Sequence, residues 1–279
     1  MFASIIASIG YAGGVVADKI ILSKQRVPIL RFIPLLFIWL CIITAIFLPF
    51  FAEVKWAEVI SWRYLLLFSL MILVAVVWNY FYYRGIQRED LHEFELIMLF
   101  SPLATIILAE IFLPSERSSP VFLVGLLASI ALIFSRLRHH HLKIGKTVWL
   151  TITAMLLMSF ESILIKELLG AVSPVALYFT RTFIISIVFL LLYRPKLFDM
   201  TRNAYALTII SAIFGVVQMV LKFYGFQSLG VIGTTMILIL GPFLVYIFSA
   251  FYFKEKLFKR DIFAALIVVA CILWVTFKK

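Results

Sequence analysis

The sequence predicts an all-α integral membrane protein. About ten membrane-spanning helices form two inverted five-helix repeats, residues 1–140 and 141–279. Three observations predict this. Hydrophobic residues fill 64% of the 279 positions and charged residues only 14%, roughly half the charged share of a soluble domain. With a mean hydropathy of +1.12, the apolar surface exceeds what so little polar sequence can cover, so it must face a bilayer. The apolar runs also cluster near the ~20 residues a helix needs to cross hydrocarbon, and the two halves of the chain echo one another.

In order, helices are expected over 2–22, 27–51, 63–84, 91–113 and 120–137, then over 147–169, 174–193, 205–225, 231–253 and 261–277. Lys, Arg, Glu, Pro and Ser punctuate the breaks, as helix ends require. The apolar runs are continuous and do not alternate, which argues against a membrane barrel. The first run is apolar from its start, without a basic region or cleavage site before it, and reads as a span and not a signal peptide. The loops are short and leave no room for a soluble domain.

The repeat is carried by pairs 140 to 147 residues apart. Lys19 and Lys166 end matching helices, and Pro28 and Pro174 open the next ones. Gly85-Ile86-Gln87 matches Gly225-Phe226-Gln227, and Pro102 matches Pro242. Five helices per half is an odd number, so the halves must lie in opposite orientations, the arrangement on which alternating access rests.

The net charge of +11 does not point to nucleic acid, because the basic residues sit in short breaks between apolar runs, as in the loops of membrane proteins. Cys41 and Cys271 are far apart inside apolar runs and indicate no oxidising compartment.

The Pro102-Leu103 run ending in Ser115-Glu116-Arg117, and the Gly241-Pro242 run ending in Lys254-Glu255-Lys256-Leu257, resemble the drug/metabolite transporter superfamily, in particular its ten-helix proteins with two EamA-type repeats. The first helix, with Gly10-Tyr11-Ala12-Gly13-Gly14 closing on Lys19, is similar too. Pro114 stands where the family usually has glycine before the glutamate, and Lys254 stands at the second-half counterpart. The resemblance spans essentially the whole chain. It implies a multi-pass protein of the cell membrane with a solute route between the halves, walled by helices three, four, eight and nine.

Orientation has two readings. The odd-numbered loops hold sixteen Lys and Arg against five on the other side, which puts the odd loops in the cytoplasm and both termini outside. The resemblance implies the reverse.

Charges inside spans are costly, roughly 2.5–3.5 kcal/mol each on insertion scales, so they mark candidate function. Glu161 and Arg181 each lie about ten residues from the turn near 170–173, or ~15 Å at helical rise, and so can meet near the midplane. The pair either fixes packing or gives Glu161 a coupling proton or a cationic solute group to bind. Asp18 and Arg31 read as an interfacial pair, with Lys19 snorkelling. Glu110 and Lys222 read as interfacial charges or as a gate between the halves.

A second patch joins Trp78, Asn79, Tyr82 and Tyr83 on the third helix to Gln218, Phe223 and Tyr224 on the eighth. An apolar wall with a few oriented polar groups suits a small-molecule site. An aromatic belt at the interface explains the tyrosines equally well, but Asn79 and Gln218 need partners in hydrocarbon. Gly10-x-x-x-Gly14 and Ser211-x-x-x-Gly215 permit close helix packing. His139-His140-His141 reads as a solvated loop and not a closed metal site.

No phosphate-binding Gly-x-x-x-x-Gly-Lys loop is present, nor a His-Glu-x-x-His or Gly-x-Ser-x-Gly constellation. The expectation is therefore a secondary transporter of a small metabolite. An amino acid or similar solute and an organic cation are the two classes considered. The expected partners are that solute, the lipid bilayer and a coupling proton, with no cofactor, metal or nucleic acid. With both repeats in one chain, a monomer suffices. A scaffold or receptor and an intramembrane enzyme are the alternatives.

Overall fold

The computed structural model describes residues 2–88, 94, 97–117, 119–137, 146–195 and 200–242, with isolated positions beyond. The described residues are helical throughout, apart from short turns and one isolated bridge between Val54 and Val172. The chain forms α1 (Phe2–Lys19), α2 (Ile29–Phe51), the short α3 (Trp56–Val59), α4 (Trp62–Arg88), α5 (Phe100–Phe112), α6 (Ser119–Leu137), α7 (Lys146–Leu168), α8 (Pro174–Tyr193) and α9 (Arg202–Leu238).

Among the described residues, six stretches are long and apolar enough to cross a membrane: Phe2–Lys24, Ile29–Phe51, Trp62–Arg88, Val148–Leu168, Pro174–Tyr193 and Arg202–Pro242. That is fewer than the ten expected. The last is 41 residues long, or about 60 Å at helical rise, twice a hydrocarbon core. Gly230 interrupts it with φ 80° and ψ 172°, which falls between the expected spans 205–225 and 231–253. Helix α5 is short because Leu99 forms a turn ahead of it. Most of the expected tenth span, 261–277, lies outside the described residues, as do the central part of the loop before α7 and its three histidines.

Packing follows side-chain size. The face of α1 that carries Ser4, Ala7, Ser8 and Gly10 is buried, and a Cβ on Gly10 would lie 3.0 Å from the backbone of Phe214 and Gln218 on α9. The two helices thus touch backbone to backbone, as small-residue faces allow in membranes. Helix α4 packs on α7 and α2 on α8. Beyond Lys19 the first helix widens into a π-turn over Ile20–Lys24. Pro34 lies within α2, and such prolines are tolerated in spans because neighbouring groups re-satisfy the backbone. Large apolar side chains point outward along the spans, among them Ile46, Leu73 and Leu191, all more than 60% exposed. An outer surface of this kind is suited to lipid and not to water.

At one end of the bundle, the turn after α2 pairs with the turn between α7 and α8. Lys55 N donates to Ala171 O (2.9 Å), Ser173 N to Glu53 O (2.9 Å) and Ser173 Oγ to Phe51 O (2.8 Å).

Matching contacts recur in the two halves. Lys19 Nζ donates to Ile86 O (2.9 Å) at the end of α4, and Lys166 Nζ donates to Phe226 O (2.6 Å) on α9. A Cβ on Gly85 would meet Thr151 and Phe94, and one on Gly225 would meet Ser4 and Thr234. Each residue of the first set lies 140 or 147 positions from its counterpart in the second.

Candidate functional site

Where the halves face one another they leave a cavity of about 150 Å³. Its lining draws on α1 (Tyr11, Asp18), α4 (Trp78, Asn79, Tyr82, Tyr83), α5 (Ser101, Pro102, Thr105), α8 (Tyr178, Arg181) and α9 (Ser211, Gln218, Lys222). The wall is mostly apolar and aromatic, with a few polar groups converging on it, the composition of a small-solute site.

The charged centre is built by three helices. Glu161 on α7 and Arg181 on α8 are 1% and 2% exposed, and Arg181 Nε donates to Glu161 Oε1 at 2.7 Å. The second carboxylate oxygen accepts the indole N–H of Trp78 on α4 at 2.8 Å. The guanidinium sits over the Trp78 ring, 5.8 Å from its centroid. A buried pair offsets its desolvation only with such additional hydrogen bonds. Arg181 Nη2 is left buried with no hydrogen bond among the described residues. Close by on α9, Lys222 Nζ donates to Ser162 Oγ (3.3 Å) and lies 5.2 Å from the centre of the Phe226 ring.

Of the residues singled out in the sequence, Trp78, Asn79, Tyr82, Tyr83, Gln218, Arg181 and Lys222 line this cavity. Glu161 stands behind the wall and holds two of its members. Asn79 satisfies its amide by donating to Ala75 O (2.8 Å) within its own helix. Tyr224 does not line the cavity. Nor does Glu110, which has one carboxylate oxygen buried without a hydrogen bond. Lys222 takes Ser162 as its partner, so the described contacts do not join Glu110 and Lys222 into a gate.

Asp18 corrects its expected place. It is buried, lines the cavity and accepts a hydrogen bond from Ser211 Oγ, where its position in the sequence suggested an interfacial place with Arg31. Lys19, one residue on, turns to Ile86 O. The sequence signal for Asp18 was the small-residue stripe that precedes it, which brings α1 against α9 and its carboxylate against Ser211. Position alone, near a helix end, suggested the interface.

A second feature went unread. Glu116, in the turn after α5, accepts from Val231 N (2.6 Å) and Ile232 N (3.2 Å), and Lys166 Nζ lies 3.2 Å from its other oxygen. The carboxylate caps the helix that restarts after Gly230, where free N–H groups and the helix dipole favour an anion. A Cβ on Gly230 would come within 2.8 Å of that carboxylate.

An outward apolar shell around a mostly apolar cavity with a few polar groups defines a polytopic helical membrane protein. Residues 145–277 match the EamA-like transporter family, which belongs to the drug/metabolite transporter superfamily. The match lies in the second half of the chain, and the members of that family are transporters and not enzymes. A solved structure titled only "Crystal structure of protein" is similar over 97% of this chain and 94% of its own, with a TM-score of 0.72 and 14% identity. At that identity the likeness shows a shared fold. No curated protein matches the chain.

Proposed function

We propose that the protein is a secondary transporter that carries a small metabolite through the central cavity by alternating access between two inverted five-helix repeats. The observation that carries this reading is the cavity itself, a mostly apolar chamber with Asp18, Arg181 and Lys222 on its wall. The matching contacts of Lys19 with Lys166 and of Gly85 with Gly225 support two equivalent halves. Inverted equivalence is what lets the halves exchange conformations and so exchange the open side. Ten spans follow if the stretch Arg202–Pro242 counts as two crossings at Gly230, α5 and α6 each cross, and 261–277 supplies the last. The cell membrane is the proposed location and a single chain the proposed unit.

Energy comes from an ion gradient, a proton being the simplest, or from solute exchange. Glu161 is the carboxylate to test, because it holds both Arg181 and Trp78 in place. Proteoliposomes on a solid-supported membrane, screened with amino acids and organic cations, are expected to give a saturable current for one class. Glu161→Gln, inserted at normal levels, is expected to abolish it. Unchanged current in that variant removes Glu161 from the mechanism. Absence of both current and counterflow for every solute removes the transport reading.

A further inference from the structure

We infer that the Lys222 end of the cavity is a carboxylate site. Arg181 Nη2 and Lys222 Nζ receive the carboxylate of a small monoanionic or zwitterionic solute, and the site rejects solutes whose only charge is positive. This rests on the reading of the cavity as the solute's place, and it chooses between the two solute classes that the sequence leaves open.

The donors come first. Arg181 is almost wholly buried, lines the cavity and uses Nε on Glu161, yet Nη2 has no hydrogen bond among the described residues. A guanidinium carries five N–H donors in a planar fork suited to carboxylates. A buried charged donor without an acceptor is costly, so an acceptor supplied by the solute would be held strongly. Lys222 contributes a second ammonium donor to the same wall, and its partners are a neutral hydroxyl and an aromatic ring.

Charge balance points the same way. Glu161 neutralises one of the two cations, which leaves the cluster one positive charge in excess. Asp18 is the only carboxylate among the described lining residues, and its hydrogen bond from Ser211 holds it elsewhere on the wall. Its partner Ser211 and Lys222 are eleven residues apart on α9, a rise of about 16 Å, and no described ion pair joins Asp18 to either cation. A monoanionic group completes the balance at this end. A dianion would overshoot it inside the membrane, and a cation would add like charge to like.

The cluster also stands outside the repeat. At the offsets that relate the halves, Gly14 answers Glu161, Tyr82 answers Lys222 and Leu35 answers Arg181. The architecture is thus kept in both halves while the charges occur in one. A packing device common to both halves would be expected in both, whereas a recognition site is needed once.

The test uses the full chain in detergent and calorimetric titration with four probes, three of them built on the same isopentyl group. Leucine and 4-methylpentanoate carry the carboxylate, isopentylamine carries only the ammonium, and inorganic phosphate is the competing anion. Leucine and 4-methylpentanoate are expected to bind saturably, and isopentylamine and phosphate not to bind. Lys222→Met, which leaves the Arg181–Glu161 pair in place, is expected to weaken both carboxylate probes by about tenfold or more. Arg181→Lys keeps the charge and loses the fork, and serves as a second variant with a similar expected loss.

Saturable binding of isopentylamine, or phosphate binding tighter than the carboxylates, would overturn the assignment. So would carboxylate binding that Lys222→Met leaves intact, or folded wild-type protein that binds neither carboxylate probe. Binding here needs no gradient, so intact carboxylate binding without flux would count against transport alone.

Discussion

Gly230 and Glu116 form a lock in which each residue explains the other. Glycine adopts φ 80° without strain, and the missing side chain leaves room for the carboxylate that caps Val231 and Ile232. Gly230→Ala would add both a left-handed backbone cost, of order 1–3 kcal/mol, and a clash with Glu116. Its thermal unfolding midpoint in detergent is expected to drop clearly below wild type. Glu116→Ala removes the cap and the partner of Lys166 and is expected to cost about 1 kcal/mol or more, with Glu116→Gln losing less because one acceptor remains. Equal stability of all three variants would mean the lock contributes nothing. The signs of these residues were present in the sequence, but their meeting was not. Glu116 and Gly230 are 114 residues apart, and only the packed bundle brings them together. The Glu161–Arg181 pair was easier to read, because two charges equidistant from one turn must reach one depth whatever the tertiary details.

Helices were legible where hydrophobicity and length agree. Segments 174–193 and 27–51 coincide with α8 and α2 within two residues at each end, since Pro174 opens one and Pro28 precedes the other. Helix α4 instead runs to Arg88, four residues beyond its expected end, because its last turn stays packed near Lys19. Composition cannot register that contact. The pairing of α1 with α9 was foreshadowed by the Gly10 and Gly14 spacing, but the two glycines are not equivalent. A Cβ at Gly10 meets backbone at 3.0 Å, whereas one at Gly14 meets only the Phe214 Cβ at 3.7 Å. Gly14→Ala is therefore expected to fold normally. Gly10→Val must push α1 off α9 and is expected to lower stability by about 1–3 kcal/mol. The two unfolding midpoints measured side by side check this, and an equal, negligible effect would contradict the close backbone contact.

At the scale of the molecule, a lipid-facing shell and a central cavity divide the labour. The shell is read directly from composition, and so is the membrane it requires. The cavity is not, because its wall is assembled from seven helices, each contributing two to seven residues with no common spacing. The charges on that wall break the symmetry that the backbone contacts keep, so one end of the chamber differs chemically from the other. Alternating access predicts that a residue on this wall is reached from both sides of the membrane in turn. Ser101 lines the cavity and is nearly buried, and cysteine is close to serine in size. The most direct measurement places Ser101→Cys in a background with Cys41 and Cys271 replaced by alanine. Sealed vesicles are then labelled with an impermeant methanethiosulfonate from either face. Labelling from both faces, slowed by the transported solute, is the predicted result. Labelling from one face only, at a rate no solute alters, would contradict the account.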